Sequence, residues 1–183
     1  MGAITKALRN RDLKNKLATL KRHKKILNLQ DAKSIGILYM ATEERNYKTI
    51  LNFVKELQDD KKNVKTLGFV ESKKMPSYCY PQLNFEFSNF NDLNFYKKPK
   101  STFIDVFTET DFDILIDLTM TTYYPAEYIA FLSHAKFKVG RYSDRNTAHF
   151  DLMIHANSSI TLSEYIKHVI KYLTIINKKN ETN

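Results

Sequence analysis

The stretch FDILIDL, at residues 112–118, decides which fold class this chain adopts. Its apolar residues run continuously instead of alternating with polar ones, which is typical of a strand covered by helices on both faces. The stretch SIGILYM, at residues 34–40, has the same character, and an apolar helical stripe over 47–57 connects it to a third buried run at 64–70. A strand, a helix and a strand in this order form a right-handed parallel unit, so the sequence predicts a parallel sheet.

Further elements on both sides of this stretch extend the same pattern. A helix is predicted from Pro125 to His134, strands at 137–141 and 150–155, and a last helix that begins at Thr161 or Ser163. Residues 71–100 are less regular and contain one short predicted strand at 83–87. The chain is therefore predicted to be an α/β protein with a three-layer, Rossmann-like, mainly parallel sheet. We expect a basic amphipathic N-terminal helix within residues 1–33, a single domain over 34–177 and a polar tail at 178–183.

The net charge is concentrated at the N-terminus. Residues 1–25 contain nine Lys and Arg residues against one acid, Asp12, and so hold +8 of the +9 net charge of the chain. Leucines at positions 13, 17 and 20 share one side of a helix predicted over 5–27, and most of the cations lie on the opposite side and its flanks. A local excess of charge indicates a local anionic partner. The predicted anion-binding residues are Arg11, Lys14, Lys21, Arg22 and Lys25.

Three uses of this basic segment remain open from the sequence. The leucine stripe could dock the helix on the body and leave a solvated basic face. Alternatively, the cations could contact phosphates of RNA or of a ribonucleoprotein, or the helix could lie on an anionic membrane surface. A single cysteine, Cys79, fits a reducing compartment, and no apolar run approaches the about 18 residues that span a bilayer. We therefore predict a soluble cytoplasmic protein without a transmembrane segment.

Candidate catalytic residues are expected at the carboxyl ends of the strands, where open parallel sheets bind their ligands. The loop after the first strand lacks glycine and carries two acids, Glu43 and Glu44, which disfavours a dinucleotide phosphate and predicts no cofactor. Asp117, Arg141 and His155 are the weak catalytic candidates at the other strand ends. The five histidines show no metal-ligand spacing, so no metal site is predicted.

Two resemblances extend this interpretation. The segments DAKSIGILY (31–39), GFV (68–70), AKFKVGRY (135–142) and DLMI (151–154), together with FDILIDL, resemble an uncharacterised family of Bacteroidetes proteins over essentially the whole chain. That resemblance implies no activity. FDILIDL followed by SHAKFKVGR (133–141) is similar to the N-terminal Rossmann domain of heptosyltransferase-like glycosyltransferases, which implies a related fold and no catalytic residue. The sequence thus predicts a binding or accessory protein with an anionic partner, and the alternative is a degenerate glycosyltransferase-like enzyme.

Overall fold

The computed structural model describes residues 3–157 and 159–176 and contains one six-stranded sheet in which every strand pair is parallel. The strands are β1 (Ser34–Met40), β2 (Asn63–Phe69), β3 (Phe85–Ser88), β4 (Ile114–Asp117), β5 (Phe137–Arg141) and β6 (Leu152–Ile154). They lie in the order β3-β2-β1-β4-β5-β6, which is the doubly wound order of a Rossmann-like sheet. The predicted α/β fold class is confirmed.

Helices cover both faces of the sheet. They are α1 (Ala3–Thr19), α2 (Glu44–Asp59), α3 (Thr102–Glu109), α4 (Tyr124–Leu132) and α5 (Leu162–Ile175), and a 3-10 turn spans Phe90–Asp92. Because successive side chains of a strand point to opposite faces, Ile37 and Tyr39 of β1 pack in the core with α2 and α5. Leu38 and Met40 pack in the second core with α1, α3 and α4. The β1–α2–β2 and β4–α4–β5 crossovers run in opposite directions along the sheet, so their right-handedness places α2 and α4 on opposite faces.

Glycines allow aromatic rings to approach two of these strands closely. A Cβ atom added to Gly140 of β5 would lie 2.5 Å from Cε1 of Phe150, and one added to Gly36 of β1 would lie 2.7 Å from Cδ2 of Phe112. Both rings are buried. The absence of a side chain at each glycine therefore makes room for a ring that fills the core containing α4.

The N-terminal helix is shorter than the sequence predicts. It ends at Thr19, so the prediction of helix through residue 27 is wrong, and residues 20–33 run without regular structure beneath the amino ends of the strands. Along this path the Lys25 amide donates to the Lys136 carbonyl at 3.0 Å, and the Leu29 amide donates to the Leu173 carbonyl at 2.9 Å. Leu27 is buried in the core formed with α2 and α5. The segment thus passes from one helical layer to the other and is part of the packed body.

The irregular region and the last helix largely follow the sequence. The short strand predicted at 83–87 corresponds to β3, which pairs in parallel with β2. Thr161 is the N-cap of α5 and forms a reciprocal capping box with Glu164. The predicted polar tail at 178–183 lies outside the described residues.

Candidate functional site

The crevice between the carboxyl ends of β1 and β4 is the place where a doubly wound sheet usually binds a ligand. The loop after β1, at residues 41–43, leads into α2 with Glu43 and Glu44 at the start of the helix. Glu43 lies 3.5 Å from the guanidinium of Arg45, and Glu44 lies 2.8 Å from the ammonium of Lys48. Carboxylates thus occupy the helix end whose dipole would otherwise attract a phosphate. This crevice does not suit a nucleotide.

Asp117 ends β4 and is the most buried of the three catalytic candidates, at 6% exposure. Its Oδ1 atom accepts hydrogen bonds from the backbone amide of Thr119 at 2.9 Å and from its hydroxyl at 2.6 Å. Burial raises the pKa of Asp117 to about 6, although the two hydrogen bonds from Thr119 oppose the shift. A carboxyl group that titrates near neutral pH is chemically able to exchange a proton with a bound molecule.

Arg141 lies with Asp117 around one small polar cavity at the ends of β4 and β5. The Nη1 atom of Arg141 donates to the Met120 carbonyl at 2.6 Å, and the side-chain Nδ2 atom of Asn146 donates to the Arg141 carbonyl at 2.7 Å. Glu127 also lines the cavity, and burial raises the pKa of its carboxyl. The cavity has a volume of about 30 Å³, which holds one or two water molecules. Two of the candidates therefore surround a space too small for a sugar.

His155, the third candidate, lies elsewhere. It follows β6, is exposed to solvent and stacks on Tyr142 with ring centroids 6.4 Å apart. It is not among the residues that line the cavity of Asp117 and Arg141. The structure thus brings together two of the three predicted catalytic residues and separates the third from them.

The basic helix α1 docks on α4 through both apolar and polar contacts. Leu13 is buried against the α4 layer. The guanidinium of Arg9 stacks 3.6 Å from the ring centroid of Tyr124. Asp12, the one acid of the first 25 residues, accepts a hydrogen bond from the Tyr128 hydroxyl at 3.1 Å and pairs with Lys98 at 3.0 Å. Two leucines of the predicted stripe, Leu13 and Leu17, therefore pack against the body of the same chain.

Arg22 has a different role from the other predicted anion-binding residues. Its side chain is 7% exposed and forms a two-pronged ion pair with Asp151, the residue before β6. The same guanidinium donates to the carbonyls of Ala135 and Lys136. This arrangement fastens residues 20–33 to the amino ends of β5 and β6, and it leaves Arg22 little surface for an external anion.

The remaining predicted anion-binding residues, Arg11, Lys14, Lys21 and Lys25, are all exposed. Lys14 borders a groove beside the loop that follows β5, where Arg145 and His149 also lie. Lys21 borders a second groove, between α1 and the α3–α4 layer. The exposed cations therefore flank the docked helix on both sides.

A turn that was not predicted as part of any site lies against α1. In the turn at residues 94–98, Asn-Phe-Tyr-Lys-Lys, three residues border a cleft of about 310 Å³ together with Leu8, Arg9 and Tyr124 of the body: Asn94, Tyr96 and Lys98. Aromatic and basic residues adjoin each other in this short stretch, which is a signal present in the sequence. The proximity of the turn to α1 has no such signal, because Lys98 and its partner Asp12 are 86 positions apart in the chain.

The described residues provide neither a metal site nor a membrane span. Within residues 3–157 and 159–176, no group of three or more His, Cys, Asp or Glu side chains is placed to hold a metal ion. Over the same part of the chain, none of the helices combines the length and the apolar character needed to cross a membrane.

Comparisons with known proteins identify the family of the chain. No curated protein and no solved structure matches it. A family model described as "Family of unknown function (DUF6913)" matches residues 6–176, which include most of α1, all six strands and α5. The prediction that the whole chain resembles a family without an assigned function is thereby confirmed. The chain belongs to the family of unknown function DUF6913.

Proposed function

We propose that the protein is an accessory RNA-binding protein whose exposed N-terminal cations contact phosphates. The observation that supports this proposal is the exposure of Arg11, Lys14, Lys21 and Lys25 around a helix that is already docked on the body. The packed backbone fixes where these cations emerge from the body, so only their side chains lose conformational entropy when a polyanion binds. Phosphate contacts of this kind give affinity without base sequence specificity.

The structure gives less support to an anionic membrane as the partner. A helix that lies in a membrane interface buries an apolar face between the headgroups. In α1 that face is occupied, because Leu13 is 6% exposed and packs in the core with α4. The alternative of a degenerate glycosyltransferase-like enzyme gains little support from the carboxyl ends of the strands, because the cavity between Asp117 and Arg141 has the volume of one or two water molecules.

The test replaces charges and leaves the helix in place. Deletion of residues 1–25 would also remove Leu13 and the buried Arg22, and so would destabilise the body. The variant Arg11→Gln/Lys14→Gln/Lys21→Gln neutralises exposed positions only. A matched control, Lys55→Gln/Lys167→Gln/Lys171→Gln, removes the same charge from exposed positions of α2 and α5 on the other face of the sheet.

Binding of fluorescently labelled RNA oligonucleotides is measured by anisotropy at several salt concentrations. We expect the wild-type protein and the control to show the same steep dependence of log Kd on log salt. The N-terminal variant should bind more weakly, and its slope should fall by about 0.7 for each phosphate of a single strand that it no longer neutralises. Equal weakening by the control variant would contradict the proposal, as would binding to anionic vesicles in place of RNA.

A further inference from the structure

We propose that the turn at residues 94–98 and the adjoining side of α1 form a stacking site for the bases of single-stranded RNA. This inference rests on the proposed function and assigns a second, chemically distinct part of the same interface. Phe95 is 86% exposed and Tyr96 is 40% exposed, and Tyr96 borders the cleft between the turn and α1. Adjacent exposed aromatic rings with a polar surround are typical of a surface that contacts a ligand or a partner.

The turn has a fixed shape. Its backbone closes through hydrogen bonds from the Asn94 amide to the Lys98 carbonyl at 2.9 Å and from the Lys97 amide to the Asn94 carbonyl at 2.8 Å. The Oδ1 atom of Asn94 accepts from the amides of Tyr96, at 2.9 Å, and Lys98, at 3.0 Å. Lys97 adopts the left-handed backbone region, with φ at 58°. A ring on a turn held in this way is presented to a ligand at low entropic cost.

The two aromatic rings have an edge-to-face arrangement, with centroids 5.5 Å apart. The ring of Phe95 keeps exposed surface on which a base can stack. Tyr96 borders the cleft of about 310 Å³ between the turn and α1. Asn94 also borders this cleft, and although its side-chain oxygen is used within the turn, its side-chain NH2 group can donate to the edge of a base.

Cations lie on and beside the turn. Lys97 directly follows the aromatic pair and is exposed, with its ammonium 5.5 Å from the ring centroid of Phe90. Arg9 of α1 borders the same cleft as Tyr96. Lys98 is held against α1 by its ion pair with Asp12. Single-stranded nucleic acids are bound by such combinations of aromatic platforms and cations along the backbone, and each stacked base adds affinity with little dependence on sequence.

The occupant favoured by these features is a single strand. In a duplex the bases are stacked on one another and their faces are covered, so an exposed aromatic ring has no free base face on which to stack. A membrane would instead require a wide apolar patch, whereas Phe95 and Tyr96 lie between the polar residues Asn94 and Lys97 in the chain.

The experiment compares Phe95→Ala, Phe95→Trp and Leu83→Ala with the wild-type protein. Leu83 is 95% exposed and lies on the turn that precedes the edge strand β3, so it is a control for the loss of an exposed apolar side chain. The probes are a single-stranded RNA, a duplex RNA with the same number of phosphates, and vesicles that contain anionic lipid. Thermal melting verifies that each variant is folded.

We expect Phe95→Ala to weaken binding of the single strand by about fivefold or more, and Phe95→Trp to retain it, since base–aromatic stacking is worth about 1–3 kcal/mol per base. Binding of the duplex should be unchanged in both variants. The Leu83→Ala variant should match the wild-type protein throughout.

Three negative results are distinguishable. If the wild-type protein binds no RNA, both the proposed function and the stacking site are overturned. If it binds single-stranded RNA and Phe95→Ala binds equally well, the stacking site alone is overturned. A loss of vesicle binding in Phe95→Ala, with RNA binding intact, would also refute the site and would indicate a membrane contact.

Discussion

Replacement of Asp151 by Asn should destabilise the protein strongly. Asp151 is the partner of Arg22, whose guanidinium is 7% exposed, and it also accepts a hydrogen bond from the Lys138 amide at 2.8 Å. Asn keeps the shape of the side chain and removes its negative charge. The guanidinium of Arg22 then stays buried without a counter-charge, and Lys24, at 3.6 Å, also loses its partner.

The size of the effect follows from the geometry. Loss of one member of a buried ion pair costs about 3–5 kcal/mol. The hydrogen bonds from Arg22 to the carbonyls of Ala135 and Lys136 survive in the variant, and Asp151 is 14% exposed, so we expect the lower end of the range, about 3 kcal/mol. For a chain of 183 residues this corresponds to a decrease in Tm of about 6–12 °C.

The assay is chemical denaturation at pH 7, followed by circular dichroism, with Asp144→Asn as the matched control. Asp144 is exposed, so its variant should differ from the wild-type protein by less than about 0.5 kcal/mol. The double variant Arg22→Met/Asp151→Asn removes both charges and should be more stable than Asp151→Asn alone. A cost for Asp151→Asn as small as that of the control would refute the assignment of a buried ion pair.

The pH dependence provides an independent measurement on the same pair. Burial alone would raise the pKa of Asp151, but the hydrogen bonds from Arg22 and from the Lys138 amide outweigh it and hold the pKa below its usual value. A lowered carboxyl pKa stabilises the folded state above the unfolded-state pKa, and that stabilisation is lost as the pH falls through the folded-state pKa. The difference in stability between the wild-type protein and Asp151→Asn should therefore shrink below about pH 4.

Three further predictions concern the core. Burial raises the pKa of Asp117 to about 6, so the wild-type protein should lose about 3 kcal/mol of stability as the pH rises from about 4 to 6. The Asp117→Asn variant should lose much less over that interval when the two proteins are compared by denaturation. Burial lowers the pKa of Lys138 to about 7, so stability should rise between about pH 7 and pH 10 in the wild-type protein but not in Lys138→Met. Gly140→Ala should cost about 1–3 kcal/mol, measured as a lower denaturation midpoint, because its Cβ atom would meet Phe150 at 2.5 Å; an unchanged midpoint would show that the ring moves freely.

Much of the fold was predictable because burial imposes a local period on the sequence. The continuous apolar runs that become β1 and β4 are covered on both faces in the structure, as their composition predicts, whereas Asn63 and Lys65 of β2 are exposed. The end of α1 was not predictable in the same way. Leu20 and Leu27 continue the leucine stripe in sequence, but α1 ends at Thr19 and the chain is then held by the backbone contacts of residues 20–33 and by Arg22.

The candidate sites were likewise predictable only in part. Asp117 and Arg141 could be placed at the carboxyl ends of parallel strands from the sequence alone, because the strand ends meet at one edge of the sheet. The volume of the cavity between them could not be predicted, because it depends on how the side chains of the intervening loops pack. The position of Tyr96 beside α1 likewise depends on contacts between distant segments.

By itself, the sequence determined the α/β class, the parallel strands and the concentration of positive charge in the first 25 residues, because each is a property of neighbouring residues. Only the tertiary structure decided which of these charges face solvent. Arg22 and Asp151 are 129 residues apart in the chain, and their pairing removes one predicted cation from the surface. The fold also brings the turn at 94–98 to α1. Contacts between distant residues depend on the packing of the whole chain, and no local pattern encodes them.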